Sequence, residues 1–445
     1  MNLPILSNWD NDSLPQAWSG AYNDIWGYVD GSGKEYAILG TIVGTYFINI
    51  TDPANPQVVS FFKGKDTIGV NRDFKTYSHY AYGVCDQGNS SLQIFDLQNL
   101  PNSVTKIYDS DSLSVRCHTL FIEHDRIYMC SNTTKQGYHS MDVLSLADPE
   151  NPTYLSTLSH PQFFTVHAAY VRKDTAFLSC GNEGMFVYNY ADVNNPVLMQ
   201  TFTSYPEQGY NHSSWTSDDG KTLIFADERH GRGIKVYDIS NLDNPVLKSI
   251  FRSNLLNSSD SLGDTGSIPH NPYMIGNKAI ISYYHDGVQV FDLSDTRHPV
   301  RNGYFDTDPL NTNYSGYGGA WGVYPFLPSH HIIASDLQNG LFVLDGNNQF
   351  ILGEKALAKE NSFEHSLYPN PAKDEFYFSV NIRKEGPVNC KVYDISGESV
   401  LTFTEFLPTG VSDLHIDCTK LSSGAYFINS YSDTFNFTIK FILVK

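Results

Sequence analysis

The stretch Gly44-Thr-Tyr-Phe-Ile-Asn-Ile-Thr-Asp-Pro-Ala-Asn-Pro56 contains an apolar strand, a polar residue that closes it, and a turn that ends in proline. Similar segments, some of them shortened, occupy residues 92–97, 140–152, 184–196, 233–245, 287–299 and 340–345. The Asp-x-x-Asn-Pro sequence favours a turn, because Asp and Asn side chains bond to nearby backbone amides and proline cannot donate into a sheet. The chain therefore contains seven copies of one strand-and-turn unit.

The spacing of the copies indicates which repeat fold they build. The residues that close the strand are Asn49, Asp96, Ser145, Asn189, Asp238, Asp292 and Asp345. Their mean separation is about 49 residues, a length that suits one four-stranded propeller blade. Further strand-like runs lie between the copies, and helical periodicity is nowhere sustained. The sequence predicts an all-β chain with a seven-bladed β-propeller over residues 1–350.

The two ends of the repeat array predict how the ring closes. The seventh copy stops after Asp345 without the usual fourth strand, and residues 4–9 resemble the fourth strand at residues 245–251. Because ring closure removes an open sheet edge, residues 4–9 are expected to complete the last blade. Residues 349–352 are the competing candidate for that strand.

The C-terminal part of the chain has a different pattern. Residues 351–362 contain no copy of the repeat and are predicted to be a linker. Residues 363–445 contain short strand-like runs separated by Pro, Gly and Asn, which is typical of a small β-sandwich.

Both parts resemble known families. The repeat is similar to the LVIVD repeat of bacterial surface propellers, and Tyr22-Asn-Asp-Ile-Trp-Gly27 with residues 316–325 resembles the choice-of-anchor B family. In the tail, residues 367–374, 421–428 and 440–445 resemble a type IX secretion (Por) C-terminal sorting domain. This resemblance implies a secreted or cell-surface protein that contacts the type IX secretion machinery through residues 363–445. It also implies a signal peptide, which this numbering does not show; trimming is the simplest explanation.

Charge and composition exclude several functions. The chain has 29 Lys and Arg against 48 Asp and Glu, a net charge of −19, so binding to nucleic acid is not expected. No stretch approaches the roughly 20 apolar residues of a membrane helix, so membrane insertion is not expected either. Motifs such as GxSxG, HExxH and GxGxxG are absent in a suitable context, so the sequence predicts no particular reaction.

A candidate site follows from a polar position that repeats near the start of each innermost strand. Since these strands line the channel of a propeller, their first residues are expected to converge on one mouth. The candidate ligand-binding residues are Asp24, Trp26, Asp73, His118, His167, His212, His270 and Trp321. A divalent metal, calcium or zinc, is a possible cofactor. Its candidate ligands are His167, His212, His270, Asp227 and Glu228.

Three functions are compatible with this site. The first is binding of an extracellular ligand, such as a peptide, glycan or small molecule, at the channel mouth. The second is a metal-dependent hydrolase of the lactonase or esterase type. The third is a non-catalytic adhesion scaffold that uses the blade rims. Repeated histidines can also simply bond to neighbouring blades or to channel water. The sequence favours a binding protein over an enzyme, because a fold alone does not imply a reaction.

Overall fold

The chain divides into two compact units, residues 1–350 and residues 351–445. The computed structural model describes residues 3–17, 20–253, 255, 266–311, 314–347, 349, 366–368, 372–382, 385–394, 398–432 and 436–445. The predicted linker, residues 351–362, lies outside these residues.

The first unit is built from four-stranded antiparallel sheets that we call blades, and its described residues form seven of them. The chain begins with β1 (Ile5–Trp9). Blades one to three, each from its innermost strand outward, consist of β2 (Tyr22–Val29), β3 (Glu35–Thr41), β4 (Gly44–Asn49) and β5 (Gln57–Lys63); β6 (Arg72–Tyr77), β7 (Tyr80–Cys85), β8 (Leu92–Asp96) and β9 (Thr105–Ser110); and β10 (Thr119–Glu123), β11 (Arg126–Thr134), β12 (Gly137–Ser145) and β13 (Thr153–Leu158). Blades four to six consist of β14 (Ala168–Arg172), β15 (Thr175–Ser179), β16 (Met185–Asn189) and β17 (Val197–Phe202); β18 (Asn211–Thr216), β19 (Thr222–Asp227), β20 (Ile234–Asp238) and β21 (Val246–Phe251); and β22 (Pro269–Ile275), β23 (Lys278–Tyr283), β24 (Gly287–Asp292) and β25 (Val300–Phe305). Blade seven consists of β26 (Ala320–Tyr324), β27 (His331–Asp336), β28 (Gly340–Asp345) and β1.

The blades form a closed ring. Each innermost strand contacts that of the next blade, and β26 contacts β2. The N-terminal strand pairs with β28, so that Trp9 lies opposite Leu341. Leu3 is buried, and its backbone N–H donates to the carbonyl of Tyr304 at 2.7 Å. The predictions of an all-β propeller and of closure by residues 4–9 are confirmed. Of the competing segment 349–352, only Gln349 belongs to the described residues.

The geometry of a blade explains the repeated sequence. The Oδ1 atom of Asp192 accepts from the N–H of Asn194 at 2.9 Å, and the equivalent turns use the same bond. In blade six the first residue of the third strand is glycine for a steric reason. Gly287 has φ 71°, and a Cβ there would lie 2.0 Å from the carbonyl oxygen of Phe305 on the fourth strand. Each pairing of third and fourth strands also has a β-bulge, which increases the twist of the blade.

The core of the first unit lies between neighbouring blades. Phe47 of blade one and Phe95 of blade two pack with ring centroids 5.1 Å apart, and Tyr36, Ile38 and Phe74 are buried in the same cluster. Burial of such large apolar side chains is the main term that holds adjacent blades in register around the ring.

The second unit consists of two facing sheets. Its strands are β29 (Ser366–Tyr368), β30 (Glu375–Ile382), β31 (Gly386–Tyr393), β32 (Ser399–Leu407), β33 (Gly410–Asp417), β34 (Gly424–Tyr431) and β35 (Asn436–Leu443). One sheet has the order β29-β30-β33 and the other β32-β31-β34-β35. Both contribute to one buried cluster, in which the rings of Phe376 and Phe441 lie 4.4 Å apart. This arrangement is the predicted β-sandwich.

Candidate functional site

The central channel of the propeller contains a cavity of about 70 Å³, which residues from all seven blades line. Seven of the eight predicted mouth residues line it: Asp24, Asp73, His118, His167, His212, His270 and Trp321. The eighth, Trp26, does not. Its ring packs 4.9 Å from Tyr324, and its Nε1 donates to Oγ1 of Thr76 at 3.2 Å. The interpretation of Trp26 as a mouth residue is therefore corrected, because this side chain is used in packing between blades.

The four histidines form one continuous row across four neighbouring blades. The ring centroids of His118 and His167 are 4.1 Å apart, those of His167 and His212 are 4.3 Å apart, and those of His212 and His270 are 4.1 Å apart. The sequence repeat explains the row, since equivalent positions of consecutive blades are neighbours around the axis.

Hydrogen bonds fix the protonation of two imidazoles in the row. Nδ1 of His270 donates to the carbonyl of Trp321 at 2.5 Å. The Ser213 hydroxyl donates to the carbonyl of His270, so Nδ1 of His212, 3.0 Å from that hydroxyl, must be the donor to it. In the neutral form of each ring, Nε2 is then the unprotonated nitrogen. The two Nε2 atoms lie 3.9 Å (His212) and 3.8 Å (His270) from carboxylate oxygens of Glu228.

Burial keeps these imidazoles neutral. It lowers the pKa of His270 to about 3 and holds the pKa values of His167 and His212 well below their usual range. Neutral imidazoles present lone pairs, which is the form in which histidine binds metal ions.

Glu228 brings a carboxylate to the row from the loop that follows β19. One of its oxygens accepts from the Tyr284 hydroxyl at 2.7 Å, and burial raises the pKa of Glu228 to about 7. Ligand atoms of His167, His212 and Glu228 all lie within 4.8 Å of one another. The structure thus brings together three of the five predicted metal ligands, with His270 beside them.

Asp227 is not part of this group. Its side chain is fully buried, accepts from the Tyr205 hydroxyl at 2.8 Å and forms an ion pair with Lys235. Asp227 is the last residue of β19 and Glu228 is the first residue after it, so the two side chains have different directions and different partners. The prediction that Asp227 is a metal ligand is corrected.

A second charged group lines the channel cavity. Nζ of Lys75 lies 2.8 Å from Oδ1 of Asp73, whose other oxygen accepts from the backbone N–H of Leu120 at 2.6 Å. Asp24 is buried beside this pair, and its Oδ2 atom has no hydrogen-bond partner within the described residues. Burial, together with the charge of Asp73, raises the pKa of Asp24 well above its usual range.

Sequence reasoning missed Lys75 and Tyr284. Lys75 follows Asp73 by two residues on the same strand, so the period of a strand could have placed it on the channel face. Tyr284 precedes His285 at the end of β23, a position with no equivalent tyrosine in most copies of the repeat.

Comparisons with known proteins bear on both units. Residues 366–445 match the secretion system C-terminal sorting domain. No curated protein matches the chain. The periplasmic gluconolactonase PpgL of Pseudomonas aeruginosa superposes with a TM-score of 0.51 at 12% identity, over 88% of this chain and 99% of that one. The WD40 repeats of RRP9 superpose with a TM-score of 0.53 at 9% identity, over 77% of this chain and 99% of that one. A protein from Lactobacillus plantarum superposes with a TM-score of 0.50 at 12% identity, over 83% of this chain and 95% of that one.

These similarities indicate an exported protein with a β-propeller fold. The solved structures share the β-propeller fold with this chain. The sorting domain marks a secreted or cell-surface protein that type IX secretion exports, and it implies contact with that machinery. Among the described residues, no helix is long and apolar enough to span a bilayer.

Proposed function

We propose that this exported propeller binds an extracellular ligand at its channel mouth through a zinc-class metal ion held by His167, His212 and Glu228. The observation that carries the proposal is the convergence of these two neutral imidazoles and one carboxylate, with ligand atoms within 4.8 Å of one another. Within the described part of the chain, the Nδ1 atom of His167 is buried without a hydrogen-bond partner, in a residue that is only 7% exposed. Unsatisfied buried nitrogens are costly, and a bound ion would remove that cost.

The donor set favours zinc over calcium. Two nitrogen donors and one carboxylate oxygen suit Zn²⁺, whereas Ca²⁺ takes six to eight oxygen ligands. The bond from His270 to Trp321 and the bond from His212 to Ser213 orient the imidazoles, as outer partners do in known metal sites. A bound ion would supply a Lewis acid for an oxygen atom of the ligand.

A metal-dependent hydrolase is the second candidate function. A set of three protein ligands favours it, because catalytic zinc sites keep a further position open for water, whereas structural sites are closed by four protein ligands. A rim adhesin would need none of these residues.

Zinc titration of the full chain tests the proposal. After treatment with a chelator, calorimetry with ZnCl₂ is expected to show one site in the wild-type chain. The double variant His167→Ala, His212→Ala should bind zinc more weakly by more than about 100-fold. His298→Ala is the matched control, since His298 is exposed on an outer turn. Equal zinc affinity of the wild type and the double variant, with both chains folded by circular dichroism, contradicts the proposal.

A further inference from the structure

The third blade has an extension that the other blades lack. Its strands β11 and β12 have nine residues each, whereas the corresponding strands of the other blades have five to seven. The extension begins at Ser131, which has φ 50° and whose hydroxyl donates to the carbonyl of Val166 at 2.8 Å. A left-handed serine is strained, and such strain is often retained at functional sites.

This extension forms one wall of a pocket of about 380 Å³ next to the histidine row. The pocket shares His118 and His167 with the channel cavity. Its volume falls in the range of small-molecule sites, whereas the 70 Å³ channel cavity holds only an ion or a few waters. The ligand of the proposed mouth site is thus accommodated in this pocket.

Two aromatic side chains line the pocket in fixed positions. Tyr138 stacks on Phe164 with centroids 4.5 Å apart at 18°, and its hydroxyl donates to Oγ of Ser131 at 3.1 Å. Tyr210 also lines the pocket, and its ring is nearly perpendicular to that of His167 with centroids 5.2 Å apart. Fixed tyrosine rings offer apolar faces together with polar edges, a combination that suits the rings of sugars.

The pocket also contains a cation. Arg116 lines it and is exposed, and its guanidinium forms no hydrogen bond or ion pair with the rest of the described chain. Guanidinium groups bind carboxylates with two parallel hydrogen bonds. Asp86, a carboxylate that also lines the pocket, is already bonded to Nδ1 of His118 at 2.7 Å. The hydroxyl groups of Thr133 and Thr165 complete the polar lining.

We infer that this pocket binds a uronic acid residue, with the sugar carboxylate on Arg116 and the sugar ring between Tyr138 and Tyr210. The inference rests on the proposed function, since it names the ligand class of the same mouth. A cation, hydroxyl groups and aromatic faces together match a sugar that bears a carboxylate, and the neutral sugar lacks the group that Arg116 would hold.

The test compares an acidic with a neutral disaccharide. Calorimetry of the zinc-loaded full chain with α-1,4-digalacturonic acid and with α-1,4-galactobiose is expected to show at least about tenfold tighter binding of the acid. Arg116→Gln should remove that preference and leave zinc affinity unchanged. Arg297→Gln, on an exposed outer turn, is the control and should bind both sugars like the wild type.

The outcomes separate the two proposals. Equal binding of the two disaccharides, or binding of neither by a chain that takes up zinc normally, overturns the uronic acid inference alone. If the chain does not bind zinc but still prefers the acidic disaccharide, and Arg116→Gln removes that preference, the uronic acid inference is supported and the metal site is overturned. Free galacturonic acid that binds as tightly as the disaccharide indicates a free sugar as the ligand, and tighter binding of longer oligogalacturonates indicates the end of a polysaccharide.

Discussion

The Nε2 atoms of His118 and His167 lie 2.7 Å apart. Oδ2 of Asp86 and the amide of Asn71 each lie 2.7 Å from Nδ1 of His118. Two ring nitrogens at this distance cannot both present lone pairs to each other, so one of them carries a proton or both face a cation. This close contact, together with the Nε2 atoms of His212 and His270 that face Glu228, supports the proposed cation site.

Loss of charge at the adjacent residues Asp227 and Glu228 should have different effects, one on stability and the other on zinc affinity. Glu228→Gln is expected to lower zinc affinity by more than about tenfold, because it removes the only carboxylate of the three-residue group. Asp227→Asn should keep zinc affinity but lower the free energy of unfolding by about 3–5 kcal/mol, since buried Lys235 loses its partner. Calorimetry and urea unfolding of both variants measure these effects. Loss of zinc binding in Asp227→Asn, with Glu228→Gln unaffected, contradicts the assignment.

The carboxyl pair in the channel should make stability depend on pH. The pKa of Asp24 is raised by burial and by Asp73, so between its ordinary pKa and its raised pKa the folded chain holds a proton that the unfolded chain has lost. This group therefore reduces stability as the pH rises above about 4. Asp24→Asn should raise the Tm relative to the wild type, and by more at about pH 8 than at about pH 5.

The control for that measurement is Asp73→Asn. This variant leaves the Lys75 ammonium without its 2.8 Å partner in a nearly buried position, so it should lower the Tm at both pH values. Parallel Tm curves for the wild type and Asp24→Asn across this pH range rule out a protonated Asp24.

The sequence repeat accounts for what could be predicted. A period of about 49 residues specifies both the blade and the ring. It also specifies the histidine row, because His118, His167 and His212 occupy one repeated position and must therefore be neighbours around the axis. The closing strand could be predicted for a related reason, since the last copy lacks one strand and the N-terminus has a spare one.

The repeat could not predict features that belong to one copy. Whether Asp227 or Glu228 faces the histidines depends on where β19 ends, a difference of one residue that reverses the direction of the side chain. The pocket beside the row is lined in part by Ser131 and Tyr138, which belong to the longer hairpin of blade three. Arg116 and Tyr138 lie in or next to that extension, so no repeated position indicates them.

The N-terminal closure can be tested with two residues of similar chemistry. Leu3 is 1% exposed and packs in a core between blades, whereas Ile5 is 48% exposed. Leu3→Ala should lower the free energy of unfolding by about 2–4 kcal/mol, because it leaves a cavity at the closing strand. Ile5→Ala should change it by less than about 1 kcal/mol. Urea unfolding measures both variants, and equal effects contradict a closure that depends on buried contacts.

Export should depend on the sorting domain and not on the propeller site. A chain that lacks residues 366–445, expressed with a signal peptide in a bacterium that has type IX secretion, is expected to remain inside the cell envelope, because the matched domain is what the secretion machinery contacts. Immunoblots of cell, surface and medium fractions measure its distribution. The full-length Glu228→Gln variant is the control, and it should reach the surface or the medium like the wild type, since its change lies beside the histidine row of the first unit. Normal surface appearance of the truncated chain contradicts export through this domain, whereas loss of export in Glu228→Gln alone shows that the state of the propeller site governs secretion.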